Sequence, residues 1–233
     1  MTRAPGELLV AEIFGPTLQG EGPSAGRLAV FVRLSGCNLC CSWCDTPYTW
    51  DNARFDLRAE RRRVSATEVA EHVVGLAASL VVITGGEPLV QADALAPLVL
   101  ACRRAGRDVE VETNGTIAPS TALTRVGVRW NVSPKLANAG IPRERRIRSE
   151  ALRAFVASGS AVFKFVVTAP SDLDEIAALE RDLGLTPIWV MPEGQGSDQI
   201  VLLMRQLADE VIAHGWNLTG RLHVLLWEAE RGR

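Results

Sequence analysis

Four of the chain's five cysteines lie in one segment, residues 36–46, which reads Gly-Cys-Asn-Leu-Cys-Cys-Ser-Trp-Cys-Asp-Thr. Taking Cys37, Cys41 and Cys44 as a set leaves three residues between the first pair and two between the second. Three thiolates so close in sequence can surround one soft metal centre, and thiolates select zinc, copper(I) or iron–sulfur clusters. Three ligands leave a tetrahedral zinc or a cubane cluster one position short, and in a cluster that iron is free to bind another molecule.

A structural zinc loop is the main alternative, and such a site normally shows a complete set of four protein ligands. No fourth ligand lies nearby in the sequence. The histidines are His72, His214 and His223, and the fifth cysteine, Cys102, is far along the chain. The pattern therefore favours an iron–sulfur cluster.

The composition is that of an ordinary enzyme domain. The chain has 233 residues, of which 47% are hydrophobic and 22% charged, with a net charge of −2. This length suits one domain spanning 1–233, and the charge gives no electrostatic reason to expect nucleic acid or an anionic membrane as partner. No apolar run approaches roughly 18 residues, and the N-terminus lacks an apolar signal core. We therefore expect a cytoplasmic protein, and the clustered cysteines fit a reducing compartment.

Short apolar runs alternate with helical patterns along the chain, which predicts βαβ units and a mostly parallel sheet. A Gly- and Pro-rich loop is expected at 15–23, a charged, solvated insert at 54–63, a capping box at Ser65 and Glu68, and a cap at Ser171. The predicted strands are 8–14, 29–34, 80–84, 108–113, 126–132, 162–168, 187–191 and 222–226. The predicted helices are 65–78, 93–105, 149–158, 172–183 and 197–213.

Small and polar residues follow nearly every predicted strand. The cysteine segment follows the second strand, and the groups 85–87, 112–114, 133–135 and 191–193 follow later ones. Ligands of parallel α/β folds bind outside the carboxyl ends of the strands. We therefore expect the active site at this edge of the sheet.

The cysteine spacing, with the aromatic Trp43 just before the last cysteine, resembles the radical S-adenosylmethionine (SAM) superfamily. The resemblance implies a partial, modified (β/α)6-type barrel and a [4Fe–4S] cluster on Cys37, Cys41 and Cys44. The open iron would take the amino and carboxylate groups of SAM, whose cleavage releases a 5′-deoxyadenosyl radical, and Trp43 would face the adenine. Cys40 breaks the spacing of this superfamily, so we expect it to be a buried bystander.

Gly85-Gly86-Glu87 resembles the Gly-Gly-Glu element of the same superfamily, although a double glycine before a helix can also be a simple turn. Glycine is expected there because a ligand lying against the backbone excludes any Cβ. Asn114 also fits an Asn-Gly turn. The SAM contacts implied by the resemblance are Trp43, Gly85, Gly86, Glu87, Glu112, Asn114, Ser133, Pro134, Lys135, Met191, Pro192 and Glu193.

Five segments, 15–22, 33–39, 44–46, 133–135 and 221–223, closely resemble the 7-carboxy-7-deazaguanine synthase family, and the resemblance runs from about residue 12 to 223. It implies a lyase of queuosine or deazapurine biosynthesis. Its reaction turns 6-carboxy-5,6,7,8-tetrahydropterin into 7-carboxy-7-deazaguanine with loss of ammonia, regeneration of SAM and assistance from Mg²⁺. It also implies a homodimer and an electron donor such as flavodoxin or ferredoxin.

The substrate residues follow from the same resemblance. Glu21, with Gln19 beside it, would accept the N–H donors of the pterin edge, and Arg33 would bind the substrate carboxylate. Thr46 matches the position that offers a hydroxyl to Mg²⁺, the alternative being that it caps a turn. The implied substrate contacts are Leu18, Gln19, Gly20, Glu21, Arg33, Thr84 and His223.

Two other functions remain open from the sequence. A radical SAM activating enzyme that generates a glycyl radical on a partner protein would share the cluster and the Gly-Gly-Glu element. It would not need the Gln19–Glu21 loop or Thr46. A non-enzymatic zinc-binding module would need neither SAM nor substrate residues.

Overall fold

A single open sheet organises the computed structural model, which describes residues 6–228 and 230–232. The order of strands across the sheet is β3-β1-β2-β4-β5-β6-β7-β8-β9. Strand β1 is antiparallel to both of its neighbours, and every pair from β2 to β9 is parallel. The strands are β1 (Glu7–Leu18), β2 (Leu28–Leu34), β3 (Arg62–Ser65), β4 (Leu80–Gly85), β5 (Asp108–Thr113), β6 (Arg129–Val132), β7 (Ala161–Val167), β8 (Ile188–Pro192) and β9 (Asn217–Leu218).

Six successive strands, β2 and β4 to β8, form the parallel part that a partial (β/α)6 barrel requires, so the predicted α/β fold class is confirmed. The central strand β4 begins Leu-Val-Val-Ile and is buried along that run. A continuous apolar run is typical of a parallel strand covered on both faces. The register places Arg33 beside Thr84 and Leu34 beside Gly85. The carboxyl ends of β2 and β4 therefore meet at one edge.

The helices cover the sheet and pack against it with buried apolar side chains. In α2, Leu95, Leu98 and Cys102 are fully buried, and an edge-on pair of rings, Trp130 and Phe155, lies with centroids 5.4 Å apart. No described helix is long and apolar enough to cross a bilayer. The helices are α1 (Ala66–Val74), α2 (Ala92–Arg104), α3 (Thr121–Arg125), α4 (Arg143–Arg146), α5 (Ser149–Ser158), α6 (Leu173–Leu183), α7 (Ser197–Ala213) and α8 (Leu222–Trp227).

The prediction of a last strand at 222–226 is wrong, because that segment forms α8. The place beside β8 is taken instead by the two residues of β9, with Trp189 opposite Asn217. After β9 the chain turns back, and the backbone N–H of Leu222 donates to the carbonyl of Gly20 at 2.8 Å. A short apolar run fits a strand or a buried helix equally well. Here the chain turns away from the sheet after β9, so the run forms a helix.

The first strand continues further than predicted and absorbs half of the expected loop at 15–23. Residues Gly15 and Pro16 belong to β1, and the pairing with β2 shifts register between Phe14 and Thr17. Proline has no N–H to donate, and such a bulge is one of the few places where a strand tolerates it. The loop proper therefore begins at Gln19.

Helix α1 begins as predicted, whereas the expected cap of α6 is wrong. The Ser65 hydroxyl accepts from the N–H of Glu68 at 3.1 Å, and the Glu68 carboxylate accepts from the N–H of Ser65 at 3.1 Å. Before α6, Ser171 is exposed and the carboxylate of Asp172 accepts instead, from the N–H groups of Thr168 and Ala169.

These two serines provide a matched test of the capping box. We expect Ser65→Ala to lower the free energy of unfolding by about 1 kcal/mol, because the N–H of Glu68 loses its partner. Ser171→Ala should stay within about 0.5 kcal/mol of the parent. Denaturant unfolding of both variants measures the difference, and equal losses would contradict the assignment.

Candidate active site

A large cleft opens at the carboxyl ends of the strands, where the sequence predicted a site. It contains about 1270 Å³ of space, including the part open to solvent. Most of the predicted residues line it: Leu18, Gln19, Gly20, Glu21, Arg33, Cys37, Cys41, Trp43, Cys44, Thr46, Thr84, Gly85, Gly86, Glu112, Asn114, Ser133, Lys135, Met191, Glu193 and His223. Three predicted SAM contacts, Glu87, Pro134 and Pro192, are buried and do not line the cleft.

The cysteine loop forms one wall of the cleft. Cys37, Cys41 and Cys44 all line it and are partly buried. Cys40 was expected to be buried, but it is exposed and lies outside the cleft. The backbone of an irregular loop allows alternate side chains to face opposite ways, so the two adjacent cysteines differ in their surroundings.

The three cleft cysteines have the chemistry of a cluster site. Burial, together with the nearby Glu87, Cys41 and Cys44, raises the pKa of the Cys37 thiol to about 12. Thiols that oppose one another's ionisation in this way need a cationic centre to become thiolates together. The Nε1–H of Trp50 donates to the Cys44 sulfur at 3.3 Å, a contact that stabilises thiolate charge.

Three cysteine side chains that line one cleft can supply the three thiolates of a cluster with one iron left open. In a cubane, each thiolate binds a different iron, so its ligands need not meet at one point. The residues present therefore fit a [4Fe–4S] cluster held by Cys37, Cys41 and Cys44.

The protein's own backbone also requires glycine at Gly85 and Gly86, independently of any bound ligand. A Cβ on Gly85 would lie 2.1 Å from the carbonyl oxygen of Leu34, and one on Gly86 would lie 2.1 Å from that of Gly36. The N–H of Glu87 also donates to the Gly36 carbonyl at 2.8 Å. These contacts fix the end of β4 against the start of the cysteine loop.

The Glu87 side chain supports the cleft from beneath. It is fully buried and accepts from the Thr113 hydroxyl at 2.8 Å and from the N–H groups of Asn114 and Leu89 at 2.7 and 2.9 Å. Burial raises the pKa of this carboxyl. It therefore joins the ends of β4 and β5.

Asn114 combines the turn expected from its Asn-Gly sequence with a contact to the cysteine loop. Its side-chain oxygen accepts from the N–H of Thr116 at 2.9 Å, and Gly115 has a φ of +76°. Its side-chain nitrogen donates to Asn38 at 2.9 Å. The side chain thus closes the turn and also holds the cysteine loop.

Trp43 and Lys135 meet across the same part of the cleft. The Lys135 ammonium lies 5.6 Å from the Trp43 ring centre and donates to the Ser133 hydroxyl at 2.8 Å. The Trp43 Nε1–H donates to Asn138 at 3.1 Å. This contact orients the ring, whose face is suited to stacking on a flat heterocycle.

The cleft also contains a mostly buried carboxylate, Glu21, whose side chain is 15% exposed. It is paired with Lys164, accepts from Arg221 Nε at 3.2 Å, and lies 3.9 Å from His223. Burial alone would raise its pKa, but Lys164 and Arg221 outweigh burial and hold the pKa of Glu21 far below its usual range. Burial lowers the pKa of His223. Glu21 is therefore ionised.

Lys164 and Arg221 were not predicted as site residues. Lys164 is a single charge within the apolar strand β7, as Arg33 is in β2, and such an isolated charge is a signal that the sequence offers. Arg221 gave no such signal, because its position depends on the return of the chain after β9. Gly20 is explained by this return, since a Cβ there would lie 2.0 Å from the His223 ring nitrogen.

Gln19 is almost fully buried, and its amide is used inside the protein. Its nitrogen donates to Glu112 at 3.2 Å and contacts Glu110 at 3.5 Å, and its oxygen accepts from the N–H of Glu21 at 3.3 Å. These contacts position the loop that presents Glu21.

Arg33 lines the cleft and also forms an ion pair with Glu12. Its Nε donates to Glu12 at 2.6 Å, and the Tyr48 hydroxyl donates to the same carboxylate at 2.7 Å. Arg231 contacts the other oxygen of Glu12 at 3.1 Å and stacks on Tyr48, 3.8 Å from its ring centre. Glu12 therefore lies between two arginines.

The Thr46 hydroxyl makes no capping hydrogen bond, so the turn explanation does not account for it. The turn is closed by the Thr46 carbonyl, which accepts from the Thr49 N–H at 3.0 Å. The hydroxyl oxygen lies 3.8 Å from the Cys44 sulfur. It lines the cleft beside the cluster position.

An open, mostly parallel sheet with a three-cysteine loop after its first parallel strand is the arrangement of a radical SAM protein, and residues 31–143 match the radical SAM superfamily. Across 228 residues the chain is 38% identical to 7-carboxy-7-deazaguanine synthase from Pyrobaculum aerophilum, covering 96% of each sequence. It is 35% identical to the protein of that name from Hyperthermus butylicus, covering 94% of this chain and 92% of the relative. The chain belongs to the 7-carboxy-7-deazaguanine synthase family.

The fold agrees with this membership. The crystal structure of QueE from Escherichia coli matches with a TM-score of 0.73 and 29% sequence identity, covering 93% of this chain and 95% of that one. The predicted family resemblance is therefore confirmed.

The cysteine set can be tested directly. We expect Cys37→Ala, Cys41→Ala and Cys44→Ala each to abolish iron binding and SAM cleavage. Cys40→Ala should retain both, because its side chain is exposed away from the cleft. Iron and sulfide analysis after anaerobic reconstitution measures the outcome. Loss of the cluster in Cys40→Ala with retention in Cys41→Ala would overturn the ligand set.

Proposed function

We propose that this chain catalyses the radical ring contraction of 6-carboxy-5,6,7,8-tetrahydropterin to 7-carboxy-7-deazaguanine, with release of ammonia and assistance from Mg²⁺. The observation that carries the proposal is that one cleft is lined both by the three cysteines and by the mostly buried, ionised Glu21. The relatives named for this product, which align over nearly the whole chain, support the choice of reaction.

The cofactors are a [4Fe–4S] cluster and SAM. When bound, they supply a carbon-centred radical that abstracts a hydrogen atom from the substrate. Trp43, the carboxyl ends of β4 and β5, Ser133 and Lys135 would hold SAM, with Met191 and Glu193 closing this side. Glu87, Pro134 and Pro192 support the SAM site without lining it. The electron for the cluster would come from an external one-electron donor such as flavodoxin or ferredoxin. The proposal also includes a homodimer, as the family resemblance implies.

Glu21 reads the pyrimidine edge of the pterin. A carboxylate has about four lone-pair positions, and Lys164 and Arg221 occupy one on each oxygen. The remaining positions accept the 2-amino and N3 hydrogens of the ring. The two cations keep the acceptor ionised without water, so the hydrogen bonds to substrate are charge-assisted.

The remaining substrate contacts surround this acceptor. Arg33 binds the substrate carboxylate with the terminal nitrogens of its guanidinium, while its Nε stays on Glu12. His223 lies at the Glu21 end, and burial keeps its imidazole neutral. Thr84 donates to Glu112 at 2.8 Å and fixes the floor beneath the ring. Leu18, Gln19 and Gly20 form the loop edge.

The two alternatives explain less of the cleft. A glycyl-radical activating enzyme must admit a peptide and has no use for a buried carboxylate paired with Lys164 and Arg221. A zinc-binding module has no use for the cleft at all. A decisive experiment is anaerobic incubation of reconstituted protein with SAM, reductant and the carboxytetrahydropterin. We expect 7-carboxy-7-deazaguanine to form, and the Cys41→Ala variant to form none. Absence of product from a fully reconstituted parent would refute the proposal.

Glu21→Gln tests the substrate contact. The amide keeps nearly the same size but loses the charge and one acceptor oxygen, at a cost of roughly 1.5–3 kcal/mol. We expect the KM for the carboxytetrahydropterin to rise by about tenfold to a hundredfold, with cluster absorbance and SAM affinity unchanged. Asp108→Asn also converts a carboxylate to an amide, but at the amino end of β5 and outside the cleft. It should leave the KM for the carboxytetrahydropterin unchanged. An unaltered KM in Glu21→Gln would make the loop purely structural.

Thr46→Ala tests the metal contact. Its hydroxyl has no capping partner, so its removal should weaken the stimulation of turnover by Mg²⁺ while iron content stays at the parental value. Initial rates across a Mg²⁺ titration measure the effect, with Thr116→Ala as a comparison outside the cleft. The same dependence on Mg²⁺ in Thr46→Ala as in the parent would remove Thr46 from the site.

A further inference from the structure

Arg221, just before α8, contacts three different segments of the chain at once. Its Nε donates to Glu21 at 3.2 Å, one terminal nitrogen donates to Asp45 at 2.5 Å, and the other donates to the carbonyl of Gly194 at 2.7 Å. The side chain is 8% exposed. Every nitrogen of the guanidinium is therefore engaged.

The three partners belong to three functional segments. Glu21 is in the loop proposed to bind substrate, Asp45 directly follows the cluster cysteine Cys44, and Gly194 follows the end of β8. A guanidinium is planar, so its three contacts fix these segments at set distances from one another. A lysine ammonium lacks this fork and cannot reach the same three partners together.

Neutralising Glu21 does not by itself explain Arg221. Lys164 is almost wholly buried and pairs with the other oxygen of Glu21. Asp45, in turn, is 55% exposed, so water can solvate its charge without a partner. The contact between Arg221 and Asp45 therefore adds little neutralisation, and its main consequence is geometric, because it ties the cluster loop to the substrate loop.

We propose that Arg221 is a positioning residue that sets the separation between bound substrate and the cluster loop, so that the radical takes its hydrogen atom from the substrate. The proposal rests on the proposed function. A displacement of about 1 Å between reacting groups can cost about a hundredfold in rate. A misplaced substrate leaves the radical to react elsewhere.

That failure leaves a distinct product. Each unproductive event takes one electron from the supplied reductant and one hydrogen atom from a donor other than the substrate. It consumes SAM and releases methionine and 5′-deoxyadenosine. In the productive cycle SAM is regenerated, so the ratio of 5′-deoxyadenosine to 7-carboxy-7-deazaguanine reports positioning, separately from binding or overall stability.

The experiment compares Arg221→Lys and Asp45→Asn with the parent, using reconstituted protein, dithionite and saturating carboxytetrahydropterin. We expect both variants to raise the ratio by about tenfold or more. Arg27→Lys, in an ion pair with Asp108 away from the cleft, should leave it unchanged. An unchanged ratio in both Arg221→Lys and Asp45→Asn would overturn the proposal, whatever their rates.

Hydrogen–deuterium exchange of the protein before cluster reconstitution gives a second readout. We expect faster exchange at 19–26 and 45–50 in Asp45→Asn and Arg221→Lys, and parental exchange in Arg27→Lys. If the parent forms no product, the proposed function fails, and exchange alone decides whether Arg221 links the two loops. Parental exchange in both variants would then refute the link.

Discussion

The buried charge of Glu21 imposes the strongest constraint on how this chain assembles its site. An ionised carboxylate out of water is costly unless cations and hydrogen bonds surround it. Its two principal partners come from distant segments, Lys164 from β7 and Arg221 from the return after β9. The loop after β1, the seventh strand and the C-terminal segment must therefore come together before the charge is stabilised. The same three segments therefore both form the cleft and neutralise Glu21.

The carboxyls around the cleft show how environment sets protonation. Glu21 is paired with cations and its pKa falls, whereas Glu87 accepts its hydrogen bonds from neutral donors, and burial outweighs the attraction of Lys135 and raises its pKa. Glu110, beneath the same edge, is also buried with a raised pKa and accepts from the Ser24 hydroxyl at 2.7 Å. Desolvation acts on all three, and only nearby positive charge reverses it. The ionised carboxylate, Glu21, thus lines the cleft. Glu87 and Glu110, whose pKa values are raised, instead form hydrogen bonds that hold neighbouring segments together.

Local patterns predicted the wall of the cleft that is built from strand ends. The cysteine segment and the polar groups each follow a predicted strand. To place them in one site, it was enough to know that parallel strands end at the same edge of a sheet. The other wall was harder to predict. Arg221 and its contacts depend on a reversal of the chain that no local pattern encodes, and the run at 222–226 is too short to distinguish strand from helix. Gly85 and Gly86 were recognised as a ligand-contact element, but the backbone contacts that also require glycine there lie across the sheet and leave no local signal.

The position of Glu12 between Arg33 and Arg231 has a consequence for binding. Glu12 is a resident anion, so a carboxylate that reaches Arg33 meets a cation whose charge is already partly satisfied. The binding free energy that this acid gains is only the difference between its contact with Arg33 and the existing contact with Glu12. This difference limits how tightly any acid is held there. Arg231 lies on the other oxygen of Glu12 and is 47% exposed. Arg231 shares the charge of Glu12 with Arg33, so Glu12 stays paired on both of its oxygens whether or not the terminal nitrogens of Arg33 hold a second acid. An acid that departs therefore leaves behind an arginine that already has a counter-ion.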